Sequence, residues 1–172
     1  MAVFYLDASA LLKRYRTEKG TEIVDDIYDG RGEQHIILTS QLTCIEVESV
    51  AARARKAGIL NDHQYKTLLG AFSRDLGEGL RLMAIGPERL VEAAEVVREI
   101  PLRSLDAIHY TVVRRMNMMW GSQPFVFVGS DRELLDACEA NGIKYVDPEA
   151  ADAIEKLNVY RIGKKDEGDP LA

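Results

Sequence analysis

The chain has almost no cross-linking chemistry. Its 172 residues contain two cysteines, Cys44 and Cys138, both in helix-like stretches where buried thiols of a cytoplasmic protein are expected. No CxxC or HxxxH spacing occurs, which argues against a structural zinc site. No apolar run approaches the length of a membrane span. The N-terminal run breaks at Asp7, too early for a signal peptide, so a soluble cytoplasmic protein with no membrane partner is expected. Basic charge is not in excess. The formal net charge of −6 disfavours indiscriminate coating of nucleic acid, yet leaves room for a nucleic-acid enzyme whose carboxylates bind metal beside a local basic rim. There is no internal repeat or low-complexity segment. The length suits a single domain able to bury a core without cross-links.

What is present is an alternation of short apolar runs and amphipathic stretches. Val3–Leu6 is too short for a helix and suits a strand buried on both faces. Asp7 ends it, and Leu11, Leu12 and Tyr15 begin a helical stripe. Ile36–Thr39, Leu80–Ile85, Phe125–Val128 and Ile143–Val146 read as further strands. Helices are expected after Thr21, from near Ser40 to Gly58, and from Asn61 or Asp62 with Tyr65, Leu68, Leu69, Phe72 and Leu76 on one face. Others are expected from Pro87 to Ile100 with Leu90, Ala94 and Val97 inward, from a Ser104 cap, from Arg132 to Asn141-Gly142, and from Glu149 to Leu157. This order predicts an α/β fold, a three-layer sandwich whose central, mostly parallel sheet is flanked by helices. Residues 1–148 form the expected domain. Residues 149–172 form a C-terminal helix and a polar tail, expected to be mobile from Gly163 onward.

Four carboxylates fall near helix starts: Asp7, Glu46, Asp106 and Asp131. Strands of a parallel sheet all point their carboxyl ends to one edge, so these groups can converge there. Packed carboxylates raise one another's pKa, and a bound hard cation removes that penalty. Magnesium accepts carboxylate and water oxygens, lowers the pKa of a bound water and neutralises charge at a phosphoryl centre. The set therefore suits phosphodiester hydrolysis, with no side-chain nucleophile needed. Each residue taken singly also admits a purely structural reading. Asp7 and Asp131 can be N-caps, Glu46 can close a capping box with Thr43, and Asp106 can complement a helix dipole.

The stretches Tyr5-Leu6-Asp7-Ala8-Ser9-Ala10-Leu11, Glu46-Val47-Glu48-Ser49-Val50, Leu105-Asp106-Ala107-Ile108-His109 and Val128-Gly129-Ser130-Asp131-Arg132-Glu133-Leu134 resemble, in order and spacing, the PIN domain, particularly toxin ribonucleases of the VapC type. The resemblance runs from about Val3 to Pro148. It implies an acidic pocket binding magnesium or manganese, with Asp7, Glu46, Asp106 and Asp131 as the quartet and Ser9 and Ser130 in support. It also implies cleavage of single-stranded RNA by a toxin of a toxin–antitoxin pair, a small antitoxin partner and a homodimer. Two departures stand out. Gly129 replaces the bulkier or hydroxylated residue of many relatives, which would loosen the pocket edge. Met116–Gln123 is long and apolar, and reads either as a partner surface or as a helix end with ordinary core packing.

His109 shares a helix face with Asp106 and reads as a structural histidine rather than a general base. Glu48 should face solvent or stand behind the site. Lys13, Arg14, Arg16, Arg53, Arg55, Arg114 and Arg115 are candidate phosphate contacts, with ordinary surface charge as the default. Among rivals, a dehalogenase-type phosphatase wants an acid where Ser9 stands. A signalling receiver wants a phospho-accepting Asp where Gly86-Pro87 follows the third strand. The serious alternative is a PIN-like RNA- or protein-binding module with little or no nuclease activity.

Overall fold

The computed structural model describes residues 1–31, 35–120 and 123–162. Five strands form one sheet in the order β3-β2-β1-β4-β5, and every pairing among them is parallel. They are β1 (Ala2–Leu6), β2 (His35–Ser40), β3 (Leu80–Met83), β4 (Phe125–Val128) and β5 (Tyr145–Val146). The expectation of a mostly parallel sheet thus sharpens to an all-parallel one. β5 is only two residues long: the turn after the preceding helix takes Asn141 and Gly142, and Ile143 and Lys144 lead from it into the strand, the Lys144 carbonyl already accepting the Phe127 N–H at 2.9 Å.

The helices are α1 (Ala8–Tyr15), α2 (Thr21–Asp29), α3 (Gln41–Lys56), α4 (Asp62–Glu78), α5 (Pro87–Glu99), α6 (Ser104–Trp120), α7 (Arg132–Ala140) and α8 (Ala153–Ile162). Alternation along the central strands divides the core between two faces. Ala2, Phe4 and Leu6 of β1 join Val126 and Val128 of β4 beneath α1–α4 and α8. Val3 and Tyr5 join Phe125 and Phe127 against α5, α6 and α7. β1 is buried throughout, as its unbroken apolar run requires.

Several local expectations shift. α8 begins at Ala153 rather than Glu149, because the Asp147 carboxylate accepts the Glu149 N–H at 2.9 Å and holds the chain in a turn. Ala153 and Leu157 of α8 are buried in the same cluster as α1 and α2. α5 turns Ala93 and Val96 inward and leaves Leu90, Ala94 and Val97 exposed, a slip of one position. Ala93 and Val96 join Ala107 and Tyr110 of α6 in one buried cluster. Ser104 is the first helical residue of α6 rather than its cap, since the Arg103 carbonyl accepts the Ala107 N–H. Asn61 caps α4 in a full capping box with Gln64.

Cys138 is fully buried, which pushes its thiol up to about 12, whereas Cys44 is only half-buried. Met116 is buried and Trp120 half-buried, while Met118 and Met119 are exposed. Residues 121–122 of that segment, and the tail from Gly163, lie outside the described residues. Among the described residues no helix is long and apolar enough to cross a membrane.

If α8 belongs to the core, Leu157→Ala should lower the unfolding free energy by about 2–5 kcal/mol, the usual cost of a buried Leu→Ala cavity. Urea unfolding followed by circular dichroism measures this. A loss well under 1 kcal/mol would show α8 to be peripheral.

Candidate active site

The strand order sets the site. The chain lays β1, β2 and β3 outward in one direction, then returns to place β4 on the other side of β1. The connections leaving β1 and β4 therefore diverge, and a crevice opens beyond their carboxyl ends. Asp7 follows β1 and Asp131 follows β4, one on each side of that crevice. A cleft of about 550 Å³ lies there, lined by Asp7, Glu46, Asp106 and Asp131, with Ser9, His109 and Arg53 beside them. Leu12, Leu42, Ile45 and Leu105 form its apolar walls. A slightly larger groove, about 590 Å³, lies between α2 and the start of α8. Its Asp26 and Glu149 are already ion-paired with Arg161 and Lys13, so the chemistry rather than the volume singles out the first cleft.

Asp7 is both a cap and a cleft residue, because its two oxygens divide the work. Oδ1 accepts the Ala10 N–H at 2.9 Å and the Ser9 hydroxyl at 2.7 Å, which fixes the start of α1. Oδ2 faces Gly129, where a Cβ would stand 2.8 Å from it and 2.6 Å from the Phe127 ring. Gly129 thus gives Asp7 its room rather than loosening the pocket edge, because the carboxylate and the ring fill the space a side chain would take. Burial raises the Asp7 pKa, and the Glu46 charge adds to the rise, against the lowering by His109, Ser9 and the Ala10 N–H.

Glu46 sits in the second turn of α3. Ser40 is the N-cap of that helix and Thr43 lies inside it, so Glu46 closes no capping box. Its Oε2 meets His109 Nε2 at 2.7 Å, and His109 Nδ1 meets the Tyr5 hydroxyl at 2.8 Å. Burial keeps Tyr5 protonated. His109 is accordingly a buried structural histidine, and what it holds is the site's second acid. Glu48 is exposed.

Asp106 occupies the first turn of α6 and Asp131 caps α7, its Oδ1 accepting the Leu134 N–H at 3.3 Å. Burial raises the Asp106 pKa and Asp131 adds to the rise, while Arg103 lowers it. Ser9 also accepts the Ser130 N–H at 2.8 Å, tying the β1 and β4 exits together. The Ser130 hydroxyl turns away and donates to Asp147 at 3.0 Å.

Two residues given no role from sequence stand at the cleft mouth. Arg103 bridges Asp106 and Asp131, and Glu133 joins those two acids in a cluster whose ligand oxygens lie within 4.8 Å of one another. Conversely, several candidate phosphate contacts are spent elsewhere. Lys13 is buried and paired with Glu149, and Arg14 is paired with Asp75 and Asp25. Arg55 is paired with Asp62 and Arg114 with Glu92, while Arg16 and Arg115 do not line the cleft. Arg53 alone of that group remains on its wall.

Oxygen-only donors, two raised carboxylate pKa values and a cation already drawn between two acids together fit a hard divalent ion such as magnesium or manganese. A parallel α/β sandwich with an acidic cleft at its topological switch point defines the class. The PIN domain model matches residues 4–123, and the chain belongs to the PIN domain family. No curated protein matches the sequence. Solved structures with the same fold include VapC20 of Mycobacterium tuberculosis, a sarcin–ricin loop cleaving toxin. It is 13% identical over 78% of this chain and 94% of that one, with a TM-score of 0.57. VapBC2 from Rickettsia felis, bound to a DNA fragment from their promoter, gives 10% identity, coverage of 83% and 96%, and a TM-score of 0.59. VapBC-1 from nontypeable Haemophilus influenzae gives 12% identity, coverage of 86% and 99%, and a TM-score of 0.57.

The raised Asp7 pKa has a consequence for stability. Folding favours the protonated acid, so stability is greatest below the ordinary carboxylate pKa and falls as pH rises through the raised folded value. Asp7→Asn keeps an oxygen to cap α1 and removes the buried charge. The metal-free variant should therefore melt above wild type at neutral pH, with the gap closing near about pH 4. Differential scanning calorimetry in chelator tests this, and a lower melting temperature for the variant would contradict it.

Proposed function

We propose that the chain is a divalent-metal-dependent endoribonuclease that hydrolyses phosphodiester bonds of single-stranded RNA, acting in the cytoplasm as the toxin of a toxin–antitoxin pair. The observation that carries this reading is the convergence of Asp7, Glu46, Asp106 and Asp131 on one cleft at the carboxyl edge of the sheet. Asp7, Asp106 and Asp131 would hold magnesium or manganese, with Glu46 supporting that ion or a second one. When bound, such an ion lowers the pKa of a water and offsets charge building at the phosphoryl group.

The chain's own residues do the rest. Ser9 and the Ala10 N–H fix the Asp7 carboxylate in place before substrate arrives. His109, itself anchored on Tyr5, keeps the Glu46 carboxylate at the cleft wall. Ser130 supports the site through its backbone, which reaches Ser9. Arg53 supplies positive charge on the wall for the RNA backbone. The exposed Ile45 and Leu105 give the rim an apolar surface for a base or a protein partner. A small antitoxin is the partner that this reading and the VapBC neighbours support. The exposed Leu90 and Val97 beside α6 offer an apolar face for a homodimer.

Cleavage of a generic single-stranded RNA with magnesium or manganese tests the reading. Wild type should cut only with metal, and Asp7→Asn should lose at least about a hundredfold in rate. Joined to the higher melting temperature above, this marks a residue kept for chemistry at a cost in stability. Equal rates for the two proteins would contradict the assignment. Metal binding without cleavage of any RNA would favour the binding-module alternative.

A further inference from the structure

Among the described residues, Arg103 is a cation that bridges two acids of the cleft. Its Nε donates to Asp106 Oδ2 at 3.0 Å, its Nη2 donates to Asp131 Oδ2, and Nε lies 3.8 Å from Glu133 Oε2. These three acids are the ones whose ligand atoms gather within 4.8 Å. The guanidinium therefore spans two helices and takes oxygens that a divalent ion would need. Its anchorage is asymmetric. The Arg103 carbonyl is fixed as the first acceptor of α6 and the preceding Leu102 is buried, yet the Arg103 side chain is 69% exposed. It can swing out of the cleft without disturbing any packed group.

A surface ion pair that simply fastens α6 to α7 would need one carboxylate. Here one fork engages two, both of them acids of the cleft, which are otherwise mutually repulsive. We propose that Arg103 is a displaceable counter-ion of the acidic cleft, bridging Asp106 and Asp131 when no divalent ion is bound and yielding their oxygens when one arrives. The chain thereby carries its own competitor for metal, and loading of the site requires a higher free metal concentration than the carboxylates alone would need. This inference rests on reading the cleft as a metal site.

Manganese binding, followed by the electron paramagnetic resonance signal of the free ion, tests it without any assay of cleavage. Four proteins are compared: wild type, Arg103→Gln, Arg132→Gln and Asp106→Asn. Arg132 is an exposed arginine next to Asp131 that pairs with Asp136, so its removal controls for loss of one positive charge. Arg103→Gln should bind manganese about fivefold to tenfold more tightly than wild type, as expected when two exposed ion contacts no longer compete. Arg132→Gln should change affinity by less than about twofold, because its charge is screened. Asp106→Asn should bind much more weakly than wild type, which locates the ion in the cleft.

Unchanged or weaker binding by Arg103→Gln would overturn the competitor role while leaving the metal reading intact. Equal tightening by Arg103→Gln and Arg132→Gln would also overturn it, reducing the effect to net charge. Absence of manganese binding in wild type would overturn the metal reading and this inference with it.

Discussion

Four carboxylates held at one edge of a parallel sheet repel one another, and the local structure around them is organised by that repulsion. Each acid has a different partial remedy. Asp7 takes a backbone N–H and a serine hydroxyl at the start of α1. Glu46 takes the ring of a buried histidine that is itself held by Tyr5. Asp106 and Asp131 share Arg103 and lie at the N-terminal ends of α6 and α7, where helix dipoles favour negative charge. Burial first, and the neighbouring acids second, raise the pKa values of Asp7 and Asp106, so these partners do not fully offset the cost of the charged forms. A site built this way suits a small hard cation, as the proposed function requires.

The same geometry dissolves a choice that residue patterns pose. Asp7 and Asp131 look like either helix caps or metal ligands. In the fold a single oxygen of each carboxylate satisfies the cap, Oδ1 in both cases, leaving Oδ2 beside Gly129 in Asp7 and on Arg103 in Asp131. Capping is how these side chains are aimed. Gly129 belongs to the same arrangement, since its missing Cβ is what admits the buried Asp7 carboxylate beside Phe127.

The strands and the acid positions were legible because both are local. Short apolar runs ending in Asp7 or in Gly129-Ser130-Asp131 report a strand, an edge and a helix start without reference to distant residues. What could not be read was pairing across the chain. Lys13 and Arg14 follow Asp7 closely and looked available to phosphate, yet their partners Glu149 and Asp75 lie 136 and 61 positions away. The role of His109 depends on Tyr5 and Glu46, which reach it from two other elements. Arg103 had a faint signal, three residues before Asp106 and just ahead of a helix, but a lone arginine there is indistinguishable from surface charge until α7 brings Asp131 to it. The phase of α5 failed for a related reason, because Ala93 and Val96 are matched one position on by Ala94 and Val97, and only the packing of α6 decides which of the two sets faces in.

The most direct test of the account is a crystal structure of the wild-type protein soaked in manganese, with anomalous data collected to locate the ion. The expected result is an anomalous peak in the cleft with Asp7, Asp106 and Asp131 oxygens at about 2.0–2.2 Å, Glu46 within reach of its waters, and Arg103 turned out to solvent. A cleft with no peak and Arg103 still bridging the two aspartates, under conditions where ions occupy other carboxylates of the crystal, would contradict it.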